Sequence, residues 1–203
     1  MPLPLTGLVG PAVAADGATP PLRQGKTGEV VVTELHGKYY EQAARGQLFH
    51  ATVDTAGVAL AAAGTTAGFA LYNPLGSGKN LEIVRVALAI VSGTYVVGGV
   101  MHGVNTVPQA AAVTGTALTS VAGMAGSQAT SVGKAFKTAT LPVAQTALRP
   151  FVSKNTAAPF QILSEDVDGQ IVLAPGTAWS LFIFGADTTP LEVASVTWGE
   201  IAA

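Results

Sequence analysis

Gly169-Gln170-Ile171-Val172-Leu173-Ala174-Pro175-Gly176-Thr177-Ala178-Trp179-Ser180-Leu181-Phe182-Ile183-Phe184 is the stretch on which the fold turns. Two runs rich in β-branched, aromatic and leucine residues flank Pro175-Gly176. Proline presets φ and glycine tolerates positive φ, so the pair marks a tight turn between two strands. A third strand is expected at Leu191 to Ile201. There Leu191 and Val193 share one parity while Val196 and Trp198 share the other, a phase slip that predicts a β-bulge near Ala194-Ser195.

The same grammar extends upstream. Leu81 to Val91 is apolar on both parities, which predicts a strand covered on both faces. Ser92-Gly93 is a hairpin signal leading to a strand at Thr94 to Val100. Ala67 to Tyr72 reads as a strand ended by Asn73-Pro74-Leu75-Gly76-Ser77-Gly78, and Gln47 to Val53 as another. Glu29 to Leu35 is the first strand expected. Lys38 to Arg45 is the one convincing helix, with Gly46 where a C-terminal cap belongs. Short strands with regular turn punctuation and no repeat of 20–50 residues argue for a β-sandwich or barrel.

Two segments stand apart. Residues 1–28 are rich in proline and glycine and predict an extended N-terminal arm ahead of a sandwich domain at 29–203. Prolines and glycines interrupt the apolar start, which suits an arm better than a secretory signal. Residues 105–140 consist mainly of Ala, Thr, Gly and Ser; a short helix could begin at Gln109 to Ala112, and the whole reads as a weakly structured excursion.

Composition bounds the function. Charged residues make up 11% of the 203, against roughly 25% in an average soluble domain. A charge-poor surface repels its neighbours weakly and suits an assembly component. Ten basic residues, scattered singly, do not form the cluster that nucleic-acid binding requires. Glu82 and Arg85 break the longest apolar run, so no membrane-spanning helix is expected. The absence of cysteine removes disulfides, thiolate zinc sites and a thiol nucleophile.

The chemical signals are thin. Gly76-Ser77-Gly78-Lys79 lacks the phosphate loop's leading glycine, where Asn73 stands, and its Ser or Thr, where Asn80 stands, so it reads as a turn. His36, His50 and His102 show no helical metal spacing, although a sheet could bring His36 and His50 together. Glu165, Asp166 and Asp168 read as a solvated turn rather than a calcium loop. Glu192 and Glu200 flank an aromatic residue as a glycosidase pair might, but a bulge is expected between them. Trp179, Phe182, Phe184 and Trp198 read as core. No catalytic, cofactor-binding or metal-binding residue is assigned, and the expectation is a non-enzymatic protein that binds protein surfaces.

Several stretches in order resemble tailed-bacteriophage virion structural proteins. They are Ala67-Gly68-Phe69-Ala70-Leu71-Tyr72-Asn73-Pro74 with Gly76 to Leu81, Thr114-Gly115-Thr116-Ala117, Leu148-Arg149-Pro150-Phe151, Gly169 to Ala178, and Val196-Thr197-Trp198-Gly199-Glu200. The resemblance covers most of the chain beyond about residue 28 and is strongest to capsid decoration, or cement, proteins. It implies a jelly-roll-like sandwich, made in the host cytoplasm, bound as a homotrimer to the major capsid protein on the outer surface of the head. No nucleic acid, membrane or cofactor is implied. The alternative is a head-fibre, tail-fibre or baseplate module that attaches to a receptor through Trp179 or the 105–140 excursion.

Overall fold

The computed structural model describes residues 37–93, 98–154, 162–185 and 190–203. By compactness the chain divides into Met1–Tyr40 and Glu41–Ala203. The arm expected over 1–28, the strand expected at Glu29 to Leu35, and His36 lie outside the described residues.

The helix is short: α1 spans Tyr40–Ala44. Gly46 ends it at φ +66°, with its N–H on the Ala43 carbonyl, while the Gln47 N–H reaches the Gln42 carbonyl. That bond pair is a Schellman cap, which glycine makes without a Cβ penalty.

Eleven strands follow among the described residues: β1 Leu48–Thr52, β2 Thr66–Tyr72, β3 Lys79–Ser92, β4 Gly98–Val104, β5 Thr114–Ala117, β6 Val121–Ala122, β7 Lys134–Thr140, β8 Thr146–Lys154, β9 Ile162–Leu173, β10 Ala178–Gly185 and β11 Leu191–Ala202. They form two antiparallel sheets, ordered β6-β1-β11-β3-β9 and β5-β7-β2-β10-β4-β8. Four of the pairings are nested: β1 with β11, β2 with β10, β3 with β9 and β4 with β8. The chain is a β-sandwich. Phe49, Leu81, Ile83, Val86, Leu88, Val196 and Trp198 of the first sheet meet Phe69, Leu71, Trp179, Leu181 and Ile183 of the second in one core. On the opposite face of the second sheet, Ala70, Tyr72, Phe136 and Ala178 form a smaller cluster under Val113 and Leu141.

The phase slip lies in a different strand from the one expected. On β11, Glu192, Ala194, Val196 and Trp198 hold one buried face without a break at Ala194-Ser195. The alternation is continuous, but its first core position is a glutamate, fully buried at 0% exposure. The bulge is on β3. Ile83 pairs with Trp198 and Arg85 with Thr197, leaving Val84 without an opposite residue. Leu81 and Ile83 before it, and Val86 and Leu88 after it, therefore all face the core despite opposite parity. This bulge accounts for the apolar pattern on both parities that had suggested a strand covered on both faces.

Nor is the excursion weakly structured. It contributes β5, β6 and all of β7, which pairs with β2 from Thr66–Thr140 to Tyr72–Lys134 and buries Ala135, Phe136 and Ala139. No helix forms at Gln109 to Ala112. Gln109 is buried instead, its Oε1 accepting the Val143 N–H at 2.7 Å.

Candidate functional site

The turn Asn73 to Gly78 owes its form to one buried amide. Asn73 Nδ2 donates to the carbonyls of Lys79 at 2.7 Å and Leu173 at 2.8 Å, and its Oδ1 accepts from Ser77 Oγ at 2.7 Å. Its backbone also bonds Thr177 and Gly176, tying this turn to the Pro175-Gly176 turn. Gly76 and Gly78 both sit at positive φ, and the strand β3 follows. No helix N-terminus faces Lys79, so Gly-Ser-Gly-Lys here is a turn without a phosphate cradle.

The acidic cluster is part of β9 rather than a turn between strands. Between the Ile83–Ile171 and Arg85–Asp166 pairs, residues 167–170 occupy the interval opposite Val84. Asp168 and Gly169 bend this stretch at φ +48° and +79°. The carboxylates part company: Asp166 faces Arg85 at 3.5 Å, whereas Glu165 turns to Arg149 and His102. Among the described residues no three His, Asp or Glu side chains gather as a metal-binding group. Glu192 and Glu200 share the core face of β11, about 26 Å apart along the strand at ~3.3 Å per residue. Glycosidase carboxylates work at roughly 5–9.5 Å, so these two cannot act on one bond.

The most organised polar group lies between the sheets, around His102. The ring is fully buried at 0% exposure, with Trp179 beside it and Phe151 edge-on at 5.4 Å. Trp179 Nε1–H donates to His102 Nδ1 at 3.0 Å. Indole can only donate, so Nδ1 must be the acceptor nitrogen and Nε2 carries the proton. Nε2 lies 3.0 Å from Glu165 Oε2, which accepts it. Glu165 also accepts from Arg149, which in turn donates to Gln170 at 2.6 Å. The chain Trp179–His102–Glu165–Arg149 thus joins β10 and β4 to β9 and β8 across the two sheets. Burial depresses the His102 pKa, with the Arg149 charge acting in the same direction and Glu165 opposing both.

A histidine beside a carboxylate suggests general-base chemistry, but the geometry removes it. A base needs one nitrogen open to substrate. Both nitrogens of His102 are engaged and the ring is shut off from solvent, so this network joins sheets. Of the two described histidines His50 is the more accessible: Nδ1 lies 2.8 Å from Thr197 Oγ1, and partial burial lowers its pKa. Trp179 and Trp198 are both fully buried, so neither offers a ring face to a ligand. This overturns the expectation that Trp179 could contact a receptor.

Glu200 has a role that sequence spacing did not reveal. Its Oε1 accepts from Ser131 Oγ at 2.6 Å, the Val132 N–H at 2.9 Å and the Gly133 N–H at 3.1 Å. Trp198 Nε1 approaches the same oxygen at 3.4 Å. One carboxylate near the end of the chain thereby holds the excursion's return path onto the sandwich. A run of Thr, Ser and Gly carries no signal of a distant partner, which is why reading along the sequence misses it.

Beyond these residues the candidate site is a surface. The excursion forms β5 at the edge of one sheet and β6 at the edge of the other, and Leu118 to Ser120 crosses between them. This crossing and β1 enclose a groove of about 400 Å³, lined in part by His50, Thr52, Leu118 and Val121. No helix among the described residues is long and apolar enough to cross a membrane. No protein-family model, curated protein or solved structure matches this chain. The likeness to phage virion proteins rests on the stretches quoted above.

Proposed function

We propose that this chain is a non-enzymatic virion structural protein, a jelly-roll decoration protein that binds the major capsid protein as a homotrimer and stabilises the lattice from outside. The observation that carries the jelly-roll reading is the nested pairing. Strands β1 to β4 pair in reverse order with β11, β10, β9 and β8, and successive pairs alternate between the two sheets. A long hairpin rolled up in this way gives that order, and viral capsid domains, lectins and cupins use the architecture. Lectins and cupins share it, so fold alone does not choose among functions.

Three features favour the structural role. The chain is poor in charge. Its best polar network is consumed in joining the sheets. Its tryptophans are buried rather than offered to a ligand. The virion assignment itself rests on the resemblance. A receptor-attachment module would have to work through the excursion alone, because Trp179 is inside the core.

Cryo-electron microscopy of particles from a phage that encodes this chain is the test. Density of this fold at three-fold positions of the head lattice is the expected result. Finding the chain only in tails, or absent from virions, overturns the proposal.

A further inference from the structure

β8 and β9 are end strands of the two sheets, and the bonds from Arg149 to Glu165 and Gln170 hold them side by side. Next to those bonds a pocket of about 260 Å³ opens between the sheets. Its wall is mostly apolar: Ile171 and Leu173 are buried, Val104 is half-buried, and Leu148 and Val172 stand exposed. One polar side chain in the wall is itself buried. Asn105 is 8% exposed, and its Nδ2 is spent on the carbonyls of Val143 at 2.7 Å and Ala144 at 3.2 Å. Neither of those residues lines the pocket, so the planar amide turns Oδ1 the other way, toward the pocket. Oδ1 is buried, and among the described residues no group donates to it. Flipping the amide gives no relief, because Oδ1 would then face two carbonyls that can only accept. A buried acceptor without a donor is unfavourable, so this atom stands ready to take one.

We propose that this pocket binds a neutral, ring-sized apolar group carrying one hydrogen-bond donor, of the phenol class, with the donor on Asn105 Oδ1. Size sets the ring. An apolar cavity of about 150 Å³ holds benzene, and the larger volume here leaves room for substituents. The lining sets neutrality, since none of its side chains is charged. The charges one step back are opposite in sign: Arg149 follows Leu148 and is held by Glu165 and Gln170, and Glu82 pairs with Val172 on β3. An ionised ligand would lose its water without gaining a counter-charge. Asn105 sets the donor. Its Oδ1 is shielded from bulk water and already desolvated, so an incoming hydroxyl meets no competing solvent and relieves an existing deficit. An apolar wall with one placed polar atom is the usual make-up of a small-ligand site, the polar atom fixing orientation. The same chemistry comes from two sources, a free phenol or a tyrosine side chain of another protein.

Capsid attachment plays no part in this inference, and the two stand or fall separately. The test is titration of the full chain with p-cresol and with toluene, followed by amide chemical shifts. The pair differs by one hydroxyl, so their ratio reads the bond to Asn105. The expected result is saturable movement of the Val104, Asn105 and Ile171 to Ala174 amides, with p-cresol bound about tenfold more tightly than toluene, equivalent to about 1.4 kcal/mol. Ala174→Phe, at an exposed position of the lining, is expected to abolish binding of both at unchanged melting temperature. Shifts that do not saturate or lie elsewhere, toluene bound as tightly as p-cresol, or binding that survives Ala174→Phe overturns the proposal. Should that variant not fold, the ratio on the wild type decides alone. N-acetyltyrosinamide separates the sources: affinity equal to that of p-cresol means that the pocket admits a side chain borne on a backbone, and binding of p-cresol alone means a free ligand.

Discussion

Replacing His102 with phenylalanine tests the buried network while keeping nearly the same ring volume. No cavity opens, so the transfer and cavity costs of a large-to-small change drop out. What is lost is polar. Trp179 Nε1–H, buried and bonded only to Nδ1 at 3.0 Å, is left facing a hydrocarbon ring. A buried donor stranded in this way costs about 1–3 kcal/mol. Glu165 loses the Nε2–H contact at 3.0 Å but keeps Arg149, which adds about 1 kcal/mol more. The expected total is about 3 kcal/mol, or a fall of roughly 6–12 °C in melting temperature for a domain of this size.

The same substitution makes a pH prediction with a defined sign. The folded state depresses the His102 pKa below 6.5, mainly through burial, so the unfolded chain binds its proton more readily. The stability of neutral His102 is fully present above pH 6.5 and is lost as pH falls toward the lowered folded value. Protonation also demands a hydrogen on Nδ1, which breaks the bond from Trp179. The phenylalanine variant has no such group. The stability gap between wild type and variant is therefore expected to narrow by up to about 1.4 kcal/mol per pH unit below that point. His50 shifts in the same direction but is common to both proteins and cancels in the difference. Thermal unfolding by circular dichroism from pH 8 to pH 5 reads both effects. A loss under about 1 kcal/mol at pH 7.5, below the cost of one stranded donor, or a gap that widens as pH falls, refutes the reasoning.

Glu200→Ala removes the oxygen that holds Ser131, Val132 and Gly133; about 2–4 kcal/mol of destabilisation is expected, with faster amide exchange at Val132 and Gly133 than in the β10 strand. Uniform exchange across both regions would show that the carboxylate does not hold this loop. Gly68→Ala would put a Cβ 2.3 Å from the Ala59 carbonyl oxygen, where the chain crosses β2. Backbone meets backbone there, so a loss of about 3 kcal/mol or a failure to fold is expected, and chemical denaturation showing a change under about 1 kcal/mol contradicts the close approach.

What the sequence makes legible, and what it hides, follows from the range of the interactions. β2, β3, β10 and β11 stand where their alternation and turn residues put them, because strand period and turn chemistry are local. The helix is legible through Gly46 for the same reason. β8 escapes a local reading because Pro150 interrupts it, and a proline is tolerated there only because β8 is an edge strand with irregular pairing. β7 escapes because Lys134 and Lys137 interrupt its apolar residues, and only pairing with β2 makes Ala135, Phe136 and Ala139 a buried face. The slip assigned to Ala194-Ser195 shows the same limit. Glu192 looks like a solvent position, so the apolar residues after it appear out of phase, while the true irregularity at Val84 shows only when β3 is laid against β11. The His102 network is invisible in the same way, its members being 16 to 77 residues apart.

The nested pairing also bears on how the protein is made. Leu48 pairs with Gly199, about 150 residues further along the chain, so the first of the described strands waits for the last. A ribosome that has released β1 to β4 has released apolar strands whose final partners do not yet exist. Contacts this distant in sequence make folding slow, and the unpaired edges of β1 and β3 remain open to other chains meanwhile. A low density of charge gives little protection in that interval. Loss of β11 by early termination would leave both edges permanently open, and its product is expected in the insoluble fraction.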